Sequence, residues 1–149
     1  MTSILDRLLP TLDRPQFSFG NAQDDSAPFR DWLVGYFVPL AGDLRHSDDI
    51  EIKWGVHPKG AGDDQWTVNR MATSISILVS GVDQISLPHR VFTLSNPGDY
   101  LIWGPGMPHR WRTLEDSVVI TVRWPSIAGD NVESPEELIK LIRTQECTS

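Results

Sequence analysis

Between residues 49 and 124 apolar and polar positions alternate in short runs separated by turn residues. In DIEIKWGVH (49–57), Ile50, Ile52, Trp54 and Val56 fall on one face and Glu51 and Lys53 on the other, the two-residue period of a β-strand. PKGAGDD (58–64) has loop composition. WTVNRM, SISILVS, a turn at Gly81-Val82-Asp83, QISL, RVFTLS, the turn NPGD, YLIWG and SVVITVRW follow. Turn signals at roughly ten-residue intervals predict seven or eight strands in a sandwich or barrel. No long helix intervenes, which disfavours a parallel sheet with helical crossovers.

The flanks read differently. In SILDRLL (3–9), Ile4, Leu5, Leu8 and Leu9 have helical spacing and Ser3 is an N-cap candidate, so a short amphipathic helix is expected to pack on the body. Residues 13–30 are polar, with Pro15, Gly20 and Pro28, and read as a surface loop. WLVGYFVPL (32–40) reads as a strand ended by Pro39. Ser134-Pro135-Glu136-Glu137 is a capping box with proline at the first helical position, and Leu138, Ile139, Leu141 and Ile142 form an apolar stripe. The expected fold is all-β and single-domain over 1–149: a barrel core at 49–124, a helix and loop within 1–48, and a helix at 134–143.

Composition narrows the partners. The chain has 149 residues, 40% apolar and 22% charged, enough for one domain with a real core. Its net charge of -7 repels phosphate backbones and anionic lipid, which argues against nucleic acid and membrane. The N-terminal apolar run is interrupted by Asp6, Arg7 and Pro10, so no signal peptide is read and a cytoplasmic location is expected. Cys147, near the C-terminus, reads as an incidental thiol. The three lysines, Lys53, Lys59 and Lys140, sit in polar company, which argues against a serine–lysine hydrolase.

The chemistry concentrates in GDYLIWGPGMPHRWR (98–112). Its glycines and prolines make tight turns around one strand and set His109 at the start of the next, directed at a barrel mouth. The segment resembles the second motif of the cupin superfamily, G-x5-P-x-G-x2-H-x3-N, with Gly104 in place of the proline and Thr113 in place of the asparagine. The resemblance implies a jelly-roll β-barrel and homodimers, to which the 32–40 strand could add by completing a partner's sheet. The first motif of that family is degenerate here. Counting back from Gly81 puts Ser74 at its glutamate, and Thr67 and Asn69, or Val68 and Arg70, at its paired histidines.

With three of the four implied ligands replaced, no resident metal is favoured. A rebuilt divalent transition-metal site would draw on His57 and His109 with Asp63, Asp64 or Glu51; His46 and His89 lie in connecting segments. The expected function is small-molecule binding. If the Ser74 position faces inward, Ser76 joins it, and the mouth collects Asn69, His109 and Trp111, flanked by Trp66 and Trp103. Indole faces beside hydroxyl, amide and imidazole groups suit a sugar or a flat organic ligand. Arg123 is the candidate for holding a carboxylate, whereas Arg110 and Arg112 alternate with His109 and Trp111 and point away. The alternative is an enzyme: a metal-dependent oxygenase or isomerase, or a metal-free isomerase or epimerase with His109 as general base.

Overall fold

Two fifteen-residue strands, β4 (Thr73–Leu87) and β7 (Arg110–Trp124), run antiparallel side by side and form the spine of the protein. The structure, a computed structural model, describes residues 3–8, 17–39 and 43–146. Both spine strands bend where the register shifts between Leu78 and Asp83. Gly81 is the reason: its φ is +89°, and a Cβ there would collide with Asp116 O and Ser117. The expected turn at Gly81-Val82-Asp83 is therefore a bulge inside one strand, not the end of a hairpin.

The bend divides the sheet into two halves. On one side, β1 (Trp32–Val34), β2 (Glu51–His57), the C-terminal half of β7, the N-terminal half of β4 and β6 (Tyr100–Trp103) lie in that order. On the other, the remaining halves of β7 and β4 are joined by β5 (Arg90–Leu94), which returns from β4 through Pro88-His89. A two-stranded sheet, β3 (Thr67–Asn69) with β8 (Asn131–Glu133), closes the mouth and is tied on by the Thr67–His109 and Gly62–Arg112 bridges. Leu78, Ile85, Leu87, Leu94, Trp103 and Val119 form the apolar core, with Phe92, Leu101, Met107 and Trp111 packed against it.

The flanks depart from expectation. Helix α1 (Ile4–Leu8) buries none of its residues, and Ile4 is 74% exposed, so it does not pack as an amphipathic helix should; Leu9 lies outside the described residues. The expected loop at 13–30 contains a short helix, α2 (Ala22–Ser26), capped by the Asn21 side chain, which accepts from the backbone N–H groups of Gln23 and Asp24. The expected strand at 32–40 shrinks to the three residues of β1, after which Gly35 begins a turn. Helix α3 (Glu136–Glu146) carries Ile139 into the body but leaves Leu141 exposed.

The alternation at 49–57 is present with its polar side inward. Residues opposite each other in an antiparallel pair share a face. Glu51, Lys53 and Gly55 sit opposite Arg123, Thr121 and Val119, and Ser74, Ser76 and Leu78 sit opposite the same three. Val119 and Leu78 belong to the core, so this row faces the interior. Ile52, Trp54 and Val56 face out.

Candidate functional site

The inward row opens onto a cavity of about 290 Å³, lined among others by Trp32, Lys53, His57, Asp83, Trp103, His109, Trp111 and Arg123. A second, of about 350 Å³, shares Trp32, Arg123 and Asn131 with it and is lined also by Glu51, Asn69 and Asp130. Trp32 reaches both because Arg30 and Asp31 hold consecutive left-handed conformations, φ 54° and 71°, before β1.

Two cations border this space. Lys53 Nζ lies 5.9 Å from the ring centroids of both Trp32 and Trp111. The Arg123 guanidinium stacks 4.7 Å from the Trp32 centroid. Among the described residues neither forms an ion pair with a carboxylate, and Arg123 Nε is buried without a hydrogen-bond partner. Glu51 and Asp130 act on Arg123 through their charge but make their hydrogen bonds to other groups. Asp130 accepts from the backbone of Met71 (2.7 Å) and Ala72 (3.1 Å) and from Asn69 Nδ2 (3.2 Å). Glu51 accepts from Ser126 and the backbone of Ile127. Trp103 Nε1 is likewise buried without a hydrogen-bond partner. Burial lowers the pKa of Lys53 and of Arg123, the direction expected of cations taken out of water.

The imidazoles are held neutral. Burial first, with a smaller push from Lys53, takes His57 down to about 4; burial does the same to His109, with Arg123 adding to it. His57 packs on Trp111 at 4.4 Å between centroids, in space that exists because position 55 is glycine. His109 packs on Trp103 at 4.8 Å, and its Nδ1 lies 3.1 Å from the Met107 carbonyl oxygen. A carbonyl only accepts, which assigns the proton to Nδ1 and leaves Nε2 an acceptor, 3.4 Å from Thr67 Oγ1. Asp83 goes the other way: burial raises it to about 6, against a 3.0 Å hydrogen bond from Thr113 Oγ1.

Of the residues singled out from sequence, His57, Ser76, Trp103, His109, Trp111 and Arg123 line the 290 Å³ cavity together. Three do not. Ser74 faces inward but is wholly buried between Arg123 and Trp103 and does not reach the wall. Asn69 lines the neighbouring cavity, its amide engaged with Asp130 and Asn131. Trp66 is outside, stacked under Arg110 at 4.5 Å, because β3 turns it toward α3 rather than the mouth. Arg112 is also outside, paired with Asp64 at 2.6 Å. Lys53, Asp83 and Trp32 were missed. The signal for Lys53 was present: it shares the Glu51 face of β2, between the apolar Ile52 and Trp54 of the other face.

Among the described residues no group of three or more His, Cys, Asp or Glu side chains is placed to hold a metal ion. His57 and His109 each pack on an indole and share their cavity with Asp63, whereas Asp64 is paired outside and Glu51 belongs to the neighbouring cavity. Cys147 lies outside the described residues. Among those residues no helix is long and apolar enough to cross a membrane.

No protein-family model matches the chain, and no curated protein does. Solved structures do. The chain is similar to an uncharacterized conserved protein with a double-stranded β-helix domain from Klebsiella pneumoniae, with TM-score 0.57 and 16% identity over 81% of this chain and 100% of that one. It is similar to the DMSP lyases RdDddP and RnDddQII, with TM-score 0.53 and 21% identity over 70% of this chain and 52% of theirs. A cupin superfamily protein from Desulfitobacterium hafniense matches at TM-score 0.48 and 14% identity over 52% of this chain and 69% of that one. At these identities the likeness concerns the fold.

Proposed function

From a chain with the cupin fold, we propose a protein that binds a small organic anion inside its barrel without a resident metal. The observation that carries this reading is the pair Lys53 and Arg123: two cations on one cavity wall around one indole, with no carboxylate among the described residues within ion-pair distance of either. Burying an unpaired charge costs several kcal/mol. A ligand carboxylate placed between them supplies the missing charge, and Trp103 Nε1 supplies a further hydrogen bond. Trp111 and Trp32 offer faces for a flat body, and the volume of about 290 Å³ suits a small guest.

Isothermal titration with benzoate and with benzamide, its uncharged isostere, tests this. Benzoate is expected to bind at least about tenfold more tightly, the smallest gain for a charge-assisted hydrogen bond over a neutral one. Equal affinities contradict the reading. One zinc, iron, nickel or manganese per purified chain contradicts its metal-free part.

The second reading is an enzyme using His109, favoured by the Nε2 lone pair at the cavity wall. A conjugate acid near 4 makes His109 a weak general base at neutral pH. Binding is therefore preferred.

We also infer that a second copy of the chain covers the outer sheet face. Ile52, Val122, Ile75 and Ile102 form one row of that face, and Trp54, Ile120, Ile77 and Tyr100 the next, none fully buried. No charge interrupts either row, so two copies of a chain with net charge -7 can meet there without opposing like charges.

A further inference from the structure

We propose that Lys53 is an amine nucleophile and that the cavity takes a small 2-oxo acid, its carboxylate against Arg123 and its ketone carbon within reach of Lys53 Nζ. The proposal rests on the anion-binding reading and adds a covalent step to it.

The three lysines occupy different surroundings. Lys59 and Lys140 are 67% and 72% exposed at the side chain and lie 3.5 Å from Glu115 and 4.0 Å from Glu136. Of the three, Lys53 lines the cavity that Arg123 also lines, between two indoles and, among the described residues, with no carboxylate within ion-pair distance. Burial and, less strongly, the neighbouring guanidinium favour the neutral amine, the form that attacks carbonyls, against the opposing charges of Asp31, Asp63 and Asp83. The lysine and the arginine are diagonal neighbours across β2 and β7, Lys53 facing Thr121 and Arg123 facing Glu51. Both approach the same Trp32 ring, at 5.9 and 4.7 Å. A molecule bearing a carboxylate next to a carbonyl matches that adjacency; an isolated aldehyde leaves Arg123 unused.

The rest of the wall serves the reaction. Lys53 shares its register row with Thr121 and Ser76, whose hydroxyls lie 3.0 Å apart. That hydroxyl pair can donate to the oxygen developing on the attacked carbon. Asp83, on the same cavity, can take the proton the ammonium must lose and return it to the departing oxygen. The Nζ–C bond forms as the C–O π bond breaks, giving a carbinolamine; loss of the hydroxyl as water leaves a protonated imine. One ammonium and one ketone give one iminium and one water, with no oxidant or reductant consumed.

The test uses the unmodified protein with pyruvate and sodium cyanoborohydride, which reduces an iminium to a stable secondary amine. Intact mass and peptide mapping are expected to show one reduced pyruvyl group per chain, on Lys53. Its labelling at neutral pH is expected to outpace that of Lys59 and Lys140. Labelling by pyruvate is expected to fall about tenfold or more in Arg123→Met, whereas labelling by acetone, which has no carboxylate and loses only the guanidinium's effect on the amine, falls less. If titration shows pyruvate bound but adducts are absent or spread evenly over the three lysines, the imine is overturned and anion binding stands. If neither pyruvate nor benzoate binds, both are overturned.

Discussion

The two faces of one sheet oppose each other in chemistry. Inward, β2, β7 and β4 present Glu51, Lys53, Arg123, Thr121, Ser74 and Ser76; outward, the alternate positions are Ile52, Trp54, Val122, Ile120, Ile75 and Ile77. A sheet with one solvated face ordinarily turns its apolar side to the core. Here that rule holds only at the far end of the barrel, where Leu78, Val119 and Ile85 close the interior. The mouth end is polar inside and aliphatic outside. The difference teaches that the interior is divided: one end stabilises the fold, and the other bears a desolvation cost for the sake of a guest.

The comparison can be broken most directly at Arg123. Arg123→Met is expected to weaken benzoate binding about a hundredfold by titration, since a buried charge partner is worth a few kcal/mol to its ligand. The outer face answers to a different measurement. Ile120→Lys, at the centre of the aliphatic rows, is expected to turn a dimer into a monomer in sedimentation and to leave benzoate affinity unchanged. A monomeric wild type, with its face covered by its own N-terminal helix, contradicts the second-copy reading.

Acid should act on the inner face by two opposed routes. His109 is held near 4 in the folded state against 6.5 ordinarily, so the unfolded chain binds more protons between those values. Its contribution is complete above 6.5 and is lost as pH falls toward 4, by about 3 kcal/mol. Asp83, raised from 3.8 to about 6, does the reverse: the folded state gains on the unfolded as pH falls through that window. Urea denaturation between pH 7 and 4.5 is expected to show a steeper loss in Asp83→Asn than in the wild type and a shallower one in His109→Asn. The smallest effect is expected at Trp103→Phe, which removes the unpaired N–H donor and should weaken benzoate several-fold, about 1 kcal/mol, with the barrel intact.

Much of the fold was legible in the sequence. The alternation of 49–57 and of SISILVS set the strands, and GPG before His109 set the turn that brings its imidazole to the cavity. Which face turns inward was not, because a period of two defines two faces without ranking them. That is why Lys53 was read as one more polar-face lysine. The Gly81 bulge was hidden for a related reason: Ser-Gly-Val-Asp suits a hairpin locally, and only pairing with β7 through the bend makes it continuous strand. Trp66 was misplaced because proximity in sequence to a mouth strand does not fix the direction of its side chain, and here Arg110 holds it outside.

The central claim is that a charge is kept inside the barrel for a ligand and at the expense of stability. Urea denaturation of the wild type and of Lys53→Met, each with and without saturating benzoate, tests it in four curves. In buffer alone Lys53→Met should be the more stable, by about 1–3 kcal/mol, because a buried unpaired cation has been replaced by an apolar chain of similar length. With benzoate the order should reverse, since the wild type, with both cations in place, gains more from the ligand than a variant left with Arg123 alone. A variant less stable than the wild type in buffer alone, or stabilised equally by benzoate, would contradict the account.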